Sequence, residues 1–258
     1  MASLKSDLYD IYLSWRFELA KHMKRKRLLI VGVLAIIVPL LFYIHPADTS
    51  RDFASNSLAF LTFLIILSGA MFTGDTISGE FERKTGLLVF PTPQRRIAIF
   101  AGKYLAALTA TLLAISIYYL IVTAQILHLF GAGDIPGGLG KSYLVAVLCS
   151  CAAVSLIYFF SSLFKKTMPS TLISFFFLLM ILPILSAILM SLNVNPWFIV
   201  TYPAGLITDV FHVNDQGGGP DWATQFRPSL GAGIAVLIAY TVVFFSVGTG
   251  IANRKDVD

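Results

Sequence analysis

The stretch LLIVGVLAIIVPLLFYI, residues 28–44, contains no charged residue and no alternation of polar with apolar positions. About 20 apolar residues in helical form cross the hydrocarbon core of a bilayer. A strand of a membrane barrel would alternate every second residue, and this stretch does not. It defines a first span at about 28–45, and five more runs of the same kind follow at about 58–74, 97–130, 142–163, 168–191 and 230–251. Only 13% of the chain is charged, roughly half the share in a soluble domain. The expected fold is an all-α polytopic membrane protein with six transmembrane helices. The third run exceeds one bilayer thickness and is expected to tilt or project. Pro39 and Pro183 fall inside spans, where proline is tolerated and can kink a helix. Both are read as packing features.

Ahead of the first span, Leu4, Leu8, Ile11, Trp15, Leu19 and Met23 recur at helical spacing, with Lys5, Asp10, Arg16, Lys21 and Lys24 mostly elsewhere. The pattern predicts an amphipathic helix over residues 4–23, lying in the membrane interface. Leu13 and Phe17 break the stripe and add the possibility of packing on protein. No cleavable signal peptide is expected, because no small-residue cleavage site follows the first apolar run. Residues 192–229 begin NPWFIVTYPAGLITDVF, too apolar for a free loop and too broken by Pro196 and Pro203 for a span. They are read as short re-entrant helices before span 6, followed by a flexible turn at Gly217–Gly219. No internal repeat divides the chain. Residues 1–258 form a single transmembrane domain: an interfacial helix at 1–27, a six-span bundle at 28–251 and a tail at 252–258.

Lys and Arg set the orientation. With the N-terminus inside, sixteen of the nineteen fall in inner segments, and only Arg51, Lys141 and Arg227 lie outside. The expectation is a multi-pass protein of the cell membrane with both termini, and hence the tail, cytoplasmic. The net charge of +5 suits anionic membrane lipids on the inner leaflet. A nucleic-acid partner would need a soluble basic face, and none is present.

Enzyme signatures are absent or incomplete. GGLGKS, residues 137–142, ends like a phosphate-binding loop, but Ile135 stands where the first glycine belongs. GAGD, residues 131–134, resembles the motif of intramembrane aspartyl proteases. Its Asp134 lies about 30 Å from Asp75, the nearest aspartate at the edge of another span, and paired catalytic carboxylates must nearly touch. No Asp or Glu is placed inside a span, whereas a proton- or ion-coupled pump would be expected to carry such residues there. Lys103 sits a turn or two into span 3 and is expected to snorkel to the interface. His22, His45, His128 and His212 show no metal-ligand spacing. Cys149 and Cys151, two residues apart on a helix, point to different faces and are read as packing residues. No catalytic residue, metal or cofactor is assigned to the chain.

One segment departs from this apolar background. GEFERKTGLLVFPTPQRR, residues 79–96, carries Glu80, Glu82, Arg83, Lys84, Arg95 and Arg96 between spans 2 and 3. The longer stretch ISGEFERKTGLLVFPTPQRRIAIFAGK resembles the signature of ABC-2 type transporter permeases. That pattern runs Ile-x-x-Glu-x-Glu-x-Gly-Thr, a leucine-rich stretch, Pro, a basic residue, then Lys at the start of the next span. Ile77, Glu80, Glu82, Thr85, Leu87, Leu88, Pro93, Arg95 or Arg96, and Lys103 follow it in order. Lys84 stands where the family has Gly, and Gly86 where it has Leu.

The resemblance implies the membrane-spanning, non-catalytic subunit of an ATP-binding-cassette exporter. It would be paired with a second copy or a paralogue and served by two cytoplasmic ATPase subunits, which bind ATP and Mg. Within it the segment after span 2 is a coupling helix that docks on the ATPase. Glu80, Phe81, Glu82, Arg83, Lys84 and Thr85 carry that role by salt bridges, charge-assisted hydrogen bonds and an aromatic anchor. The family also implies that spans 2 and 5 line the pathway at the dimer axis. Phe60, Thr62, Phe63, Ser174, Phe175 and Phe177 are the candidates, and they suit an amphipathic or lipid-like substrate. A non-transport module worked by an ATPase, for mechanotransmission or assembly, is the alternative. Without the resemblance, the charged segment reads as a solvated loop.

Overall fold

The computed structural model describes residues 2–24, 26–82, 95–211 and 229–255, and among them every regular element is a helix. Six helical stretches are long and apolar enough to cross a membrane: Lys26–Ile44, Ser50–Glu82, Arg96–Phe130, Leu139–Leu163, Thr167–Ser191 and Leu230–Arg254. The protein is therefore all-helical with six candidate spans, as the apolar runs require.

The N-terminal helix α1 (Ala2–Lys24) leads into α2 (Lys26–Ile44), the first span. The second span is built in pieces: α3 (Ser50–Ala59), α4 (Leu61–Thr73) and the short α5 (Ser78–Glu82). It starts eight residues before the apolar run at about 58. Polar residues conceal the helical spacing of Phe53, Ala54, Ser57 and Leu58, all buried. Thr49 caps this start, its Oγ1 accepting from the Asp52 N–H at 3.2 Å, the usual way to satisfy an orphan amide of the first turn.

The third span, α6 (Arg96–Phe130), has 35 residues. At 1.5 Å per residue it is about 50 Å long, well beyond the hydrocarbon core. It is followed by α7 (Leu139–Leu163), the fourth span. Span 5 consists of α8 (Thr167–Phe176), a π-helical turn at Phe177–Ile181, and α9 (Leu182–Ser191). The wide turn has a cause. Pro183 has no N–H to give, and its ring would crowd the carbonyl four residues back. A π turn relieves that strain, with the Leu182 N–H reaching Phe177. Pro39 causes no such break, and the Gln125 amide donates to its carbonyl at 3.0 Å.

After span 5, the short helices α10 (Thr201–Ala204) and α11 (Leu206–Asp209) bury Tyr202, Ala204, Leu206 and Ile207. The Ser142 hydroxyl donates to the Ile207 carbonyl at 2.6 Å, which ties α11 to the start of α7. The last span is α12 (Leu230–Arg254). The glycine run at Gly217–Gly219 lies outside the described residues.

The core is formed by α4, α6 and α7. Ala107, Ala110 and Ala114 on α6 and Ala146 and Ala153 on α7 belong to it, all almost fully buried. Small residues let helix backbones approach closely in a bilayer, where packing rather than water exclusion drives association. Gly69 is one such contact, since a Cβ there would lie 2.9 Å from Ile157 Cδ1. By contrast α2, α8, α9 and α12 present rows of exposed Leu, Ile and Val, which is the surface lipid tails require.

Candidate functional site

The described part of the charged segment is short, Glu80 to Glu82 and then Arg95 onward. Arg83, Lys84 and Thr85 fall outside the described residues. What is described turns mostly inward. Glu80 is 9% exposed, and its carboxylate accepts from the Lys103 ammonium of α6. Lys103 is equally buried. Its partners are on either side, for Glu18 of α1 lies 4.0 Å away and itself pairs with Lys21 at 2.8 Å. Lone charges at this depth would be costly, and pairing is what makes their burial tolerable.

The helical stretch Ser50–Glu82 runs past the apolar run and takes in Asp75 and Glu80. Asp75 pairs with Arg27 at 2.9 Å, and Arg27 also donates to the Met71 carbonyl at 3.0 Å. Sequence hydropathy ended span 2 near residue 74 and so left both acids outside it. Lys103, read as able to snorkel, meets the carboxylate of Glu80 inside the protein.

Phe81 was expected to anchor in a partner. It is 8% exposed and packs with Ile77, Phe100, Tyr104, Val154, Tyr158 and Ala252 of its own chain. The Lys255 ammonium lies 4.8 Å from its ring centre and donates to the Ser162 and Phe164 carbonyls at 3.0 and 2.8 Å. Lys255 thus caps the C-terminal end of α7, where a cation complements the helix dipole. Burial, and then the charge of Lys165, push its pKa down, while the carbonyls and the ring hold the charged form. Glu82 is exposed, but its Oε2 accepts from the Thr167 N–H at 2.8 Å. It therefore sits at the N-terminus of α8, where an anion is favoured. The Ser161 hydroxyl of α7 accepts from the Ile77 and Ser78 N–H groups at 3.0 and 3.1 Å, holding the first turn of α5. Arg95 reaches back to Asp7 of α1 at 2.9 Å.

The result is a junction. Within a few residues, α5 is joined to α6 through Glu80, and by way of Lys103 to Glu18 of α1, to α7 and α12 through Phe81 and Ser161, and to α8 through Glu82. Sequence reasoning missed Glu18, Asp7, Ser161 and Lys255 as members. For α1 a signal existed: Asp7, Ile11, Ser14, Glu18 and His22 recur at helical spacing, a mostly polar stripe on the packed side, Ile11, Ser14 and Glu18 against α6 and His22 edge-on to Phe72 of α4. The other side of α1 exposes Leu8, Tyr9, Tyr12, Leu13, Phe17 and Met23. Ile11 and Trp15, expected on the apolar outer stripe, belong instead to the packed side. The Trp15 indole donates to Thr109 of α6 at 3.1 Å. Among the described residues no group of three His, Cys, Asp or Glu could hold a metal ion.

The pathway candidates are only partly brought together. Phe60 and Phe63 meet at a tilt, 4.9 Å between ring centres, and Phe63 meets Phe175 edge-on at 6.3 Å. Spans 2 and 5 thus touch through these aromatics within a single chain. Phe177 turns away and packs on Phe160 at 5.1 Å. The Ser174 hydroxyl is buried and donates to the Ser170 carbonyl at 2.8 Å. Thr62 is half-buried on α4.

Six apolar spans around a buried charged junction define a polytopic helical membrane protein. Residues 28–257 match the family described as Protein of unknown function (DUF2705), and the chain belongs to that family. Comparison with curated proteins gives no match.

Proposed function

We propose that the chain is the membrane-spanning permease subunit of an ATP-binding-cassette exporter, moving an amphipathic or lipid-like substrate outward. The observation that carries this reading is the anchoring of the motif-bearing segment. Glu80, Phe81 and Glu82 fasten it to α6, α7, α8 and α12. A force applied beyond Glu82 would reach most of the bundle through contacts already made. In this reading Glu80 and Phe81 position the coupling segment, while the ATPase meets Glu82, Arg83, Lys84 and Thr85. ATP and Mg are bound by that partner, two ATPase subunits serving two permease copies or a permease and its paralogue. The apolar outer side of α1 makes it the interfacial helix, and α10 and α11 are the re-entrant helices. Sixteen of nineteen basic residues then lie on the cytoplasmic side of the cell membrane, with both termini.

The test reconstitutes the chain in liposomes with an ATP-binding-cassette ATPase encoded beside it, reading hydrolysis, co-purification and substrate movement. The chain alone should hydrolyse nothing. Arg83→Glu should uncouple hydrolysis from transport while leaving insertion intact, since disrupting a charged contact costs about 2–5 kcal/mol. Glu82→Lys should do the same and also loosen the start of α8, by about 0.5–2 kcal/mol for a lost cap. Wild-type coupling in both variants would overturn the docking role.

A further inference from the structure

Between α4 and α5, the second span gives up main-chain hydrogen bonds of its own. In a continuous helix the Ile77 and Ser78 N–H groups would reach the Thr73 and Gly74 carbonyls, four residues back. Instead both donate to the Ser161 hydroxyl of α7, at 3.0 and 3.1 Å. The Thr73 carbonyl accepts from the Thr76 N–H at 3.0 Å. The Gly74 carbonyl accepts from two hydroxyls, Ser78 of α5 and Ser170 of α8, each at 3.0 Å. Ser161 Oγ lies 3.4 Å from Ser78 Oγ, which joins the two halves of the set. Ile77, Ser78, Ser161 and Ser170 are fully buried. Serine hydroxyls thus supply what the helix itself would supply if it ran straight.

Sharp breaks in helices are usually enforced by proline. Residues 74–77 contain none and have no positive φ, so hydroxyl contacts alone hold this one. Each of those hydroxyls has a second way to be satisfied. A helical serine can turn its hydroxyl to the carbonyl four residues back. Ser150 of α7 and Ser174 of α8 do so at 2.6 and 2.8 Å. With Ser161 and Ser170 turned back in the same way, the Thr73 and Gly74 carbonyls are open to the Ile77 and Ser78 N–H groups. Neither arrangement strands a buried polar group. We propose that residues 74–77 form a hinge, at which span 2 passes between the bent state and a continuous helix as these serines exchange partners. Gly74 suits the pivot, since a Cβ there would run into Thr171 Oγ1 of α8. Through the hinge, α5 and the junction it is fastened to change their angle to α4. The proposal does not rest on the permease reading, and its test needs no ATPase.

Paramagnetic relaxation in NMR tests it, on the isotope-labelled full chain in detergent. Cys149 and Cys151 are replaced by alanine, and one spin label is placed at Lys166→Cys. Lys166 is exposed and precedes Thr167, whose N–H meets Glu82 at 2.8 Å, so the label senses the α5 amides. Ser161→Ala removes the acceptor that only the bent state uses, and Ser170→Ala removes one of that state's donors. A hydrogen bond lost from one state alone shifts a two-state ratio about fivefold. Each variant should therefore shift the enhancement at the α5 amides from its wild-type value. Each should also melt close to the wild type, because the freed groups find partners in the continuous helix. An unchanged enhancement in both variants would overturn the hinge. So would a sharply lower melting temperature for Ser161→Ala with α5 still in place, the result expected of a fixed break whose buried N–H groups have been stranded.

Discussion

Lys103 is the residue on which the junction turns. It sits between two buried acids, Glu80 and Glu18, and its removal strands Glu80 without its counter-charge. Breaking a buried pair from one side typically costs about 3–5 kcal/mol, whereas replacing both members with apolar groups is often neutral. Lys103→Met should therefore lower the thermal unfolding midpoint in detergent sharply, and Glu80→Gln combined with Lys103→Met should recover most of the loss. Equal destabilisation by the single and double variants would show that the pair does not act as a unit. Gly102, the neighbouring residue, is constrained differently. A Cβ there would lie 2.5 Å from Ser14 Cβ and 2.8 Å from the Ile11 carbonyl. Gly102→Leu should push α1 off α6, at the cost of about 1–3 kcal/mol expected for overpacking. Because Trp15 donates to Thr109 across this contact, the shift should appear as a change in Trp15 fluorescence.

At the scale of elements, the six spans were legible because uninterrupted apolar runs leave no other stable arrangement in lipid. The two ends of span 2 were not. Ser50–Ala59 reads as a polar loop until its neighbours bury Phe53 and Leu58, and Ser78–Glu82 continues past the apolar run because its charges meet partners from distant segments. Hydropathy records residues singly and cannot show that Glu80 and Lys103 cancel. The same limit affected α1, where Ile11 and Trp15 read as part of the membrane-facing stripe, while the mostly polar stripe marks the packed side. The π turn in span 5 was not visible either, since a proline announces a disruption but not its form. The contact between spans 2 and 5 has a direct check. Cysteines replacing Phe63 and Phe175, whose rings meet edge-on at 6.3 Å between centres, should be bridged within one chain by a short bis-maleimide, read as one doubly attached linker on the intact monomer mass. A crosslinked dimer as the main product would place these residues at a contact between copies instead.

For the whole molecule, the proposed orientation rests on the distribution of charge. The junction end holds Lys165, Lys166 and Arg254, while the end with Gly133 and Asp134 is poor in basic residues. Single cysteines at Lys166 and Gly133 should react with a membrane-impermeant maleimide from opposite sides, Gly133→Cys from outside intact cells. A Cβ at Gly133 meets nothing within 4 Å, so that substitution is free of clash. Reaction of both from outside would reverse or refute the topology.

The buried ammonium of Lys103 also bears on how the nascent chain enters the bilayer. A lysine near the middle of a helix opposes insertion by about 2.5–3.5 kcal/mol, and a position nearer the end by less. By the time span 3 leaves the ribosome, Glu18 and Glu80 have already been synthesised. Their carboxylates await the lysine, so spans 2 and 3 can partition into lipid as a neutralised hairpin rather than one after the other. An insertion assay on the first three spans should find span 3 integrating less efficiently when Glu80 is replaced by alanine. The order of residues along the chain thus bears on the order of assembly, for Lys103 emerges only after both of its acids have been made.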